Sequence, residues 1–162
     1  MQIEILEGSL IEAASDAIVN PANGRGVMGG GVAGAIKRAA GPEVEREAMR
    51  QAPIAVGAAI GTSAGKLRYA LIVHAPTMAH PGEAIPVENV RRATRAALLL
   101  ADQKGVRALA LPGMGTGVGG VPAGEAARVM IEEIRAFHPR SVQKIVLTDI
   151  SHEMVSAWKA WL

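Results

Sequence analysis

Two glycine-rich segments are the parts of this 162-residue chain whose residue types best suit ligand binding. Residues 24–34 and residues 113–124 each contain six of its nineteen glycines. Because glycine lacks a Cβ, its backbone adopts positive φ readily and lies close to a bound molecule, at a cost in conformational entropy. Backbone amides exposed in this way suit an anion such as a phosphate. The first glycine segment (residues 24–34) and the second (residues 113–124) therefore predict a site for a phosphorylated ligand.

Each glycine segment lies between a predicted strand and a predicted helix. The aliphatic run Ala17–Asn20 leads into the first segment, and the helical pattern Val32–Ala40 follows it. Ala108–Leu111 and Pro122–Phe137 flank the second segment in the same way. In an open α/β sheet, ligands bind beyond the carboxyl ends of the strands, where loop amides and helix N-termini carry positive partial charge. We therefore expect the two segments to hold a diphosphate between them.

The remaining elements complete an α/β pattern. Aliphatic and β-branched runs predict further strands at Ile3–Leu6, Ala58–Thr62, Ala70–His74 and Lys144–Thr148. Helical patterns cover Pro42–Gln51, Val87–Lys104 and Ser151–Trp161, and Met78–Pro86 is predicted to be an irregular rim or lid. Strands that alternate with helices predict a sheet with helices on both faces. The length fits one domain over residues 1–162.

Composition excludes several kinds of site and partner. Without cysteine the chain has no disulfide, no thiolate metal site and no cysteine nucleophile, and His74 and His80 lack a nearby third ligand, so we expect no metal. The formal charge is only +2, and the chain lacks the basic cluster that duplex binding requires. The N-terminus does not resemble a signal peptide, and no apolar run approaches the ~20 residues that span a bilayer. We expect a cytoplasmic protein without membrane contact.

Two common nucleotide-binding motifs fit poorly. Gly115–Gly120 matches the pattern GxGxxG, but the nearest acidic residue at a strand end is Asp149, farther away than the ~20 positions typical of dinucleotide-binding units. A P-loop needs Gly-Lys-Ser/Thr, whereas Gly65-Lys66 is followed by Leu67. Another kind of dinucleotide-binding α/β protein therefore stays only a remote alternative.

The run DAIVNPANGRGVMGGGVAGAIKRAAG, from Asp16 to Gly41, resembles the first signature of macro domains. LPGMGTGVGGVP, from Leu111 to Pro122, resembles the second. The resemblance implies a three-layer α/β/α sandwich with a central mixed, mostly parallel sheet. It also implies a ligand, ADP-ribose, either free or attached to protein or nucleic acid, and no cofactor.

The resemblance further implies which residues contact this ligand. The two glycine segments would grip the diphosphate and the distal ribose from opposite sides, and Asn23 would hydrogen-bond the distal ribose hydroxyls. An amide side chain suits a vicinal diol because it both donates and accepts hydrogen bonds. Together with the two departures described below, Ser9 and Asp149, the candidate contacts are Ser9, Leu10, Asn20, Ala22, Asn23, Gly29, Gly30, Gly31, Val32, Gly115, Thr116, Gly117, Val118, Gly119 and Asp149.

The resemblance leaves two activities open. Many macro domains hydrolyse ADP-ribosyl esters or O-acetyl-ADP-ribose, and one branch uses an aspartate in Gly-Val-Asp-Gly to help activate the water. This chain has Gly31-Val32-Ala33-Gly34, and alanine is not a base. Other branches with Gly-Val-Ala-Gly are hydrolases in which the substrate's own phosphate is thought to orient the water. We therefore expect either a hydrolase in which Asn23 positions water or a non-catalytic ADP-ribose reader.

Three polar residues have either a structural role or a role in the site. Asn20 either ties the first segment together or contacts the ligand, and Lys37 either faces solvent or points into the site. His74 is either a hydrogen-bonded histidine at a strand end or a proton shuttle. We favour the structural role in each case.

The sequence departs from its relatives at two places in the implied site. Relatives often have an aspartate at the adenine amino group where this chain has Ser9, which also fits a capping box with Glu12, and we favour capping. Asp149 is the candidate replacement for the missing acid. Relatives commonly carry Tyr or Phe where this chain has Gly119, so we expect Gly119→Phe to tighten ADP-ribose binding.

Overall fold

A six-stranded mixed sheet forms the centre of the computed structural model, which describes residues 1–162. The strands are β1 (Gln2–Glu7), β2 (Ala17–Asn23), β3 (Ile60–Thr62), β4 (Leu71–Met78), β5 (Ala108–Leu111) and β6 (Lys144–Asp149). Their order is β1-β6-β5-β2-β4-β3. Only β3 runs antiparallel to its neighbour, β4. Since β2 and β5 are adjacent and parallel, the segments that follow them lie side by side at the carboxyl ends of these strands.

Helices cover both faces of this sheet. They are α1 (Gly31–Ala40), α2 (Glu43–Arg50), α3 (Val87–Gln103), α4 (Ala123–Ala136) and α5 (His152–Trp161). The larger core packs α3, α4 and α5 against one face and contains Val19 and Ile145. The smaller core packs α1 and α2 against the other and contains Ile18 and Val146. This alternation between neighbouring strand residues is what a sheet buried on both faces requires.

Two strands extend farther than the sequence predicts, towards the glycine segments. β2 was expected to end at Asn20 but continues through Pro21 to Asn23, and β4 continues to Met78. Proline is tolerated here because β2 pairs with β5 only at Ala17 and Ile18, which leaves its far end free on that side. Asn23 is therefore the last residue of a strand, where it pairs with Met78 after a shift in register.

The capping box predicted at Ser9 is wrong. The chain forms a single turn of 3₁₀ helix over Leu10–Glu12, and the Ser9 side chain makes no capping hydrogen bond. In a capping box the Ser9 hydroxyl would accept a hydrogen bond from the Glu12 amide. That amide instead donates to the Ser9 backbone carbonyl. The Ser9 hydroxyl is therefore not used by this turn.

Helix ends otherwise agree closely with the sequence. Pro42 and Pro122 stand immediately before the first residues of α2 and α4. Gly105 follows the end of α3 with a φ of 76°, which suits a helix stop. No helix has both the length and the apolar character needed to cross a membrane.

Candidate functional site

A cavity of about 900 Å³ opens at the carboxyl ends of β2 and β5. Both glycine segments line it, together with the 3₁₀ turn after β1 and the chain that follows β6. All the candidate contacts predicted from the sequence line this cavity except Asn20. The sequence-predicted residues are thus brought together, although their contact with a ligand stays a prediction.

Three cavity-lining glycines are not required by the protein's own structure. A Cβ built on Gly29, Gly30 or Gly117 meets no atom within 4 Å. None of the three has a positive φ, so their conformations are open to other residues. A side chain at these positions would instead extend into unfilled space. The absence of side chains there leaves room for a ligand to approach the backbone.

The first glycine segment rests on α2. Gly26 has a φ of 73°, and a Cβ on it would lie 2.8 Å from the backbone carbonyl carbon of Ala48. The Met28 side chain is buried in the smaller core, and its amide donates to the Glu45 carboxylate at 2.7 Å. The part of the segment before Gly29 is therefore fixed by packing and hydrogen bonding.

The second glycine segment rests on Ile85 and Val90. A Cβ on Gly115, whose φ is 74°, would lie 2.7 Å from a methyl carbon of Val90. The Ile85 amide donates to the Gly119 carbonyl at 3.0 Å. This contact joins the segment to the region 78–86, three residues of which, Met78, Pro81 and Gly82, also line the cavity.

The expectation that Gly119→Phe tightens binding is wrong on steric grounds. A Cβ at Gly119 would lie 2.7 Å from the carbonyl oxygen of Gly115 and 3.0 Å from a side-chain carbon of Ile85. Since the oxygen belongs to the backbone of the same segment, a ring there would displace the segment. Glycine at this position is required by packing.

Two helix N-termini face the cavity without side-chain caps. Gly30 precedes α1 and Pro122 precedes α4, and neither supplies a side-chain hydrogen bond to the first turn. The first amides of a helix have no partner within it, and they carry the positive end of its dipole. Both helices therefore direct positive partial charge to the cavity, which suits an anionic group held between the segments.

Asn23 is oriented by the segment that follows it. Its Nδ2 donates to the Val27 carbonyl at 2.8 Å, and its Oδ1 accepts from the Arg25 amide at 3.0 Å. An amide side chain has two donor hydrogens and two acceptor lone pairs, so one of each remains. Asn23 thus faces the cavity with a fixed orientation and spare capacity to bind hydroxyl groups.

Asn20 and His74 form a buried pair behind the cavity. The two side chains are 1% exposed, and Asn20 Nδ2 lies 3.1 Å from His74 Nδ1. His74 Nε2 lies 2.8 Å from the Thr62 hydroxyl. Burial lowers the pKa of His74 to about 4, against the opposing charge of Glu47. Neither residue lines the cavity, so this geometry supports the structural role for both.

Asp149 uses both carboxylate oxygens to hold nearby backbone. Oδ2 accepts from the Gly113 amide and Oδ1 from the Ser151 amide, both at 2.9 Å. It thereby links the end of β6 to the second glycine segment and to the start of α5. Its predicted role at adenine stays a prediction, as does that of the Ser9 hydroxyl beside it in the lining.

Sequence reasoning missed two charged residues of the lining, Arg38 and Glu153. Arg38 belongs to a helix pattern that indicates a solvated face, and only its position one turn after Gly34 signals the site. A Cβ on Gly34 would lie 3.3 Å from the Arg38 guanidinium, so this glycine leaves it room. Lys37 instead pairs with Glu45 at 2.7 Å, away from the lining. The chain has no group of three or more His, Cys, Asp or Glu that could hold a metal ion.

Comparison with known sequences finds three informative matches. The family model described as Macro domain matches residues 19–130. An uncharacterised protein of Aquifex aeolicus is 56% identical over 159 residues, which cover 98% of this chain and 96% of that protein. A Salmonella gallinarum protein named O-acetyl-ADP-ribose deacetylase is 35% identical, and the match covers 86% of this chain and 80% of that one.

Solved structures with the same fold include macrodomains with bound ligands. A Trypanosoma brucei macrodomain in complex with ADP-ribose has a TM-score of 0.88 at 28% identity, over 98% of this chain and 68% of that one. A mutant Oceanobacillus iheyensis macrodomain with ADPR has a TM-score of 0.87 at 27% identity, over 98% and 90%. These matches confirm the expected three-layer architecture and the mixed, mostly parallel sheet.

Proposed function

Because this chain belongs to the macro domain family, we propose that it binds ADP-ribose in the cavity between its two glycine segments. The observation that carries the proposal is the set Gly29, Gly30 and Gly117, where neither packing nor backbone conformation requires glycine. Such positions suit a ligand that lies directly against backbone amides. The related macrodomain structures with ADP-ribose or ADPR support the same ligand.

The cavity suggests how this ligand lies. The diphosphate binds between the two segments, where the N-termini of α1 and α4 supply positive partial charge. The distal ribose lies at Asn23, whose remaining donor and acceptor suit its hydroxyl groups. The adenine occupies the end lined by Leu10, Ile150 and Met154, where an apolar surface suits a base.

We further propose that the bound ligand carries an ester on the distal ribose and that the protein hydrolyses it. A water held near Asn23 adds to the acyl carbon, the bond from that carbon to the ribose oxygen breaks, and the ribose oxygen takes up a proton. Orientation of the water supplies the rate enhancement, since Ala33 is no base. The relative named O-acetyl-ADP-ribose deacetylase supports this chemistry.

A non-catalytic reader of ADP-ribose is the second candidate. It is favoured by the absence of an acid or histidine from the lining around Asn23. The acidic residues of the lining, Asp149 and Glu153, belong to β6 and α5, and the lining contains no histidine. The Asn23 amide is also held by its own segment, which suits recognition as well as catalysis. Binding and turnover must therefore be measured separately.

Titration calorimetry with ADP-ribose tests the binding proposal, with Asn23→Ala as the site variant and Glu43→Ala as a surface control on α2. We expect binding by the wild-type and control proteins and weaker binding by Asn23→Ala. Absence of heat with folded wild-type protein at millimolar ADP-ribose would overturn the proposal.

Release of product from O-acetyl-ADP-ribose and from a glutamate-linked ADP-ribosylated protein tests hydrolysis. We expect the wild-type protein to release ADP-ribose faster than Asn23→Ala from at least one of them. If the wild-type protein binds ADP-ribose but releases it from these substrates no faster than Asn23→Ala does, the hydrolase proposal is wrong and the reader function replaces it.

A further inference from the structure

Glu45 on α2 links the first glycine segment to α1. One carboxylate oxygen, Oε2, accepts from the Met28 amide at 2.7 Å, and the other, Oε1, lies 2.7 Å from the Lys37 ammonium. The Glu45 side chain is only 16% exposed. Both contacts favour the ionised form, and together they hold the pKa of the Glu45 carboxyl below its usual value, Lys37 having the larger effect.

Glu45 holds the residue that comes directly before three glycines at the start of α1. Met28 is buried, whereas Gly29, Gly30 and Gly31 have no protein atoms near the positions of their absent side chains. The direction in which these glycines leave Met28 therefore depends on the orientation of the Met28 peptide. The hydrogen bond that the Met28 amide donates to Glu45 fixes the orientation of that peptide.

We propose that Glu45 is a positioning residue for ligand binding, which aims the Gly29–Gly31 backbone at the diphosphate and is itself aligned by Lys37. The inference rests on the proposed function, because it names what orients the phosphate-binding backbone of that same site. Glu45 itself does not line the cavity, so it acts through Met28.

A residue that only stabilises the fold has different consequences. Glu45 and Lys37 are both partly shielded from solvent, so their loss affects stability whichever role they have. Only the positioning role requires that binding and local backbone order change at temperatures where the variants are fully folded. Affinity measured on the folded variants therefore separates the two roles, whereas a melting temperature alone does not.

The test compares Glu45→Ala, Glu45→Gln and Lys37→Met with Glu43→Ala, whose carboxylate pairs only with exposed Arg46 and Arg50. Glu45→Ala removes both contacts, while Glu45→Gln keeps an oxygen that can accept from the Met28 amide. We expect Glu45→Ala to weaken ADP-ribose binding about tenfold or more, as the loss of a hydrogen bond to a charged group implies. Glu45→Gln should recover part of that loss, and Lys37→Met should resemble Glu45→Gln.

Amide hydrogen exchange supplies a readout that does not depend on the ligand. We expect faster exchange at the Met28 amide in Glu45→Ala, because that amide loses its acceptor, and wild-type exchange there in Glu43→Ala. If folded Glu45→Ala binds ADP-ribose as tightly as wild type, or its Met28 amide exchanges no faster, the positioning role is wrong. If the wild-type protein binds no ADP-ribose, the proposed function fails and this inference fails with it, whatever the exchange shows.

Discussion

Individual glycines in the two segments serve different physical purposes, although the sequence does not distinguish them. Gly26 and Gly115 have positive φ and lie against neighbouring atoms, so the fold itself requires them. Gly30 has an extended φ of −149° and no neighbour, so neither packing nor backbone conformation requires glycine there. Substitution of a glycine that the fold requires should therefore lower stability, whereas substitution of Gly30 should lower affinity for the ligand.

Gly30→Ala should lower affinity for ADP-ribose without loss of stability. The added methyl group extends into the cavity where the diphosphate is proposed to lie, and we expect about tenfold weaker binding. Because the backbone tolerates alanine there, the free energy of unfolding should stay the same or rise by less than about 1 kcal/mol. Calorimetry and urea denaturation measure the two quantities.

The matched control is Gly124→Ala on α4, where a Cβ also meets no atom but lies outside the cavity lining. Alanine is favoured over glycine in a helix, but Gly124 is only the second residue of α4, so stability should rise by less than about 1 kcal/mol with affinity unchanged. If Gly30→Ala binds ADP-ribose as tightly as this control, the ligand does not lie against Gly30.

Strands and helices were largely predictable because their ends carry local signals. β5 has the bounds that the aliphatic run predicts, and α1 and α3 differ from prediction by one residue each at a single end. The extension of β2 through Pro21 was not predictable, since it depends on continued pairing with β4, which is a property of the assembled sheet. The Ser9 capping box failed for a related reason, because a single 3₁₀ turn uses the amide that the hydroxyl needs.

The supports of the site were harder to predict than its lining. Glu45 stands between Glu43 and Glu47 in a strongly charged helix, and nothing in the local pattern separates the three. Glu43 pairs with Arg46 and Arg50 of its own helix. Only the fold brings Met28 and Lys37 to Glu45, and Ser63 to Glu47.

The packing of α3 against α4 includes an ion-pair cluster with a buried centre. Glu133 is only 8% exposed, and its carboxylate accepts hydrogen bonds from Arg95 and from Arg91 at 3.0 to 3.2 Å. Burial opposes ionisation of Glu133, but the two arginines outweigh it and lower its pKa. Removing the central carboxylate leaves two cations without their shared partner.

Glu133→Gln should therefore lower the free energy of unfolding by roughly 1–3 kcal/mol, less than for a fully buried pair because Arg95 is largely exposed. Urea denaturation at neutral pH measures this loss. Glu125→Gln, an exposed carboxylate at the start of the same helix, is the control. Equal stability of the two variants would show that the cluster contributes nothing beyond a surface charge.

The two halves of the proposed site rest on opposite layers of the molecule. The first glycine segment is fixed through Met28 to the smaller core, whereas the second lies on Val90 of the larger core. Between them β2 and β5 pair only at Ala17 and Ile18, so the sheet is open where the cavity begins. A ligand held by both segments would bridge the two layers across that opening.

His74 makes the stability of the whole molecule sensitive to mild acid. Its pKa is lowered by burial from 6.5 to about 4, so the unfolded chain takes up a proton at a pH where the folded protein does not. His74 thus contributes stability fully above pH 6.5 and loses it as the pH falls towards 4, by up to about 3 kcal/mol.

The free energy of unfolding, measured by urea denaturation between pH 4.5 and 7.5, should therefore rise with pH in the wild-type protein, by about 1.4 kcal/mol per pH unit at most for one proton. His74→Gln retains a polar side chain beside Asn20 and Thr62 but does not titrate, so its profile should be flatter over this range. His138→Gln is the control, since His138 lies outside both buried cores. A wild-type profile no steeper than that of His74→Gln would mean that the folded protein accommodates a charged His74 despite its burial.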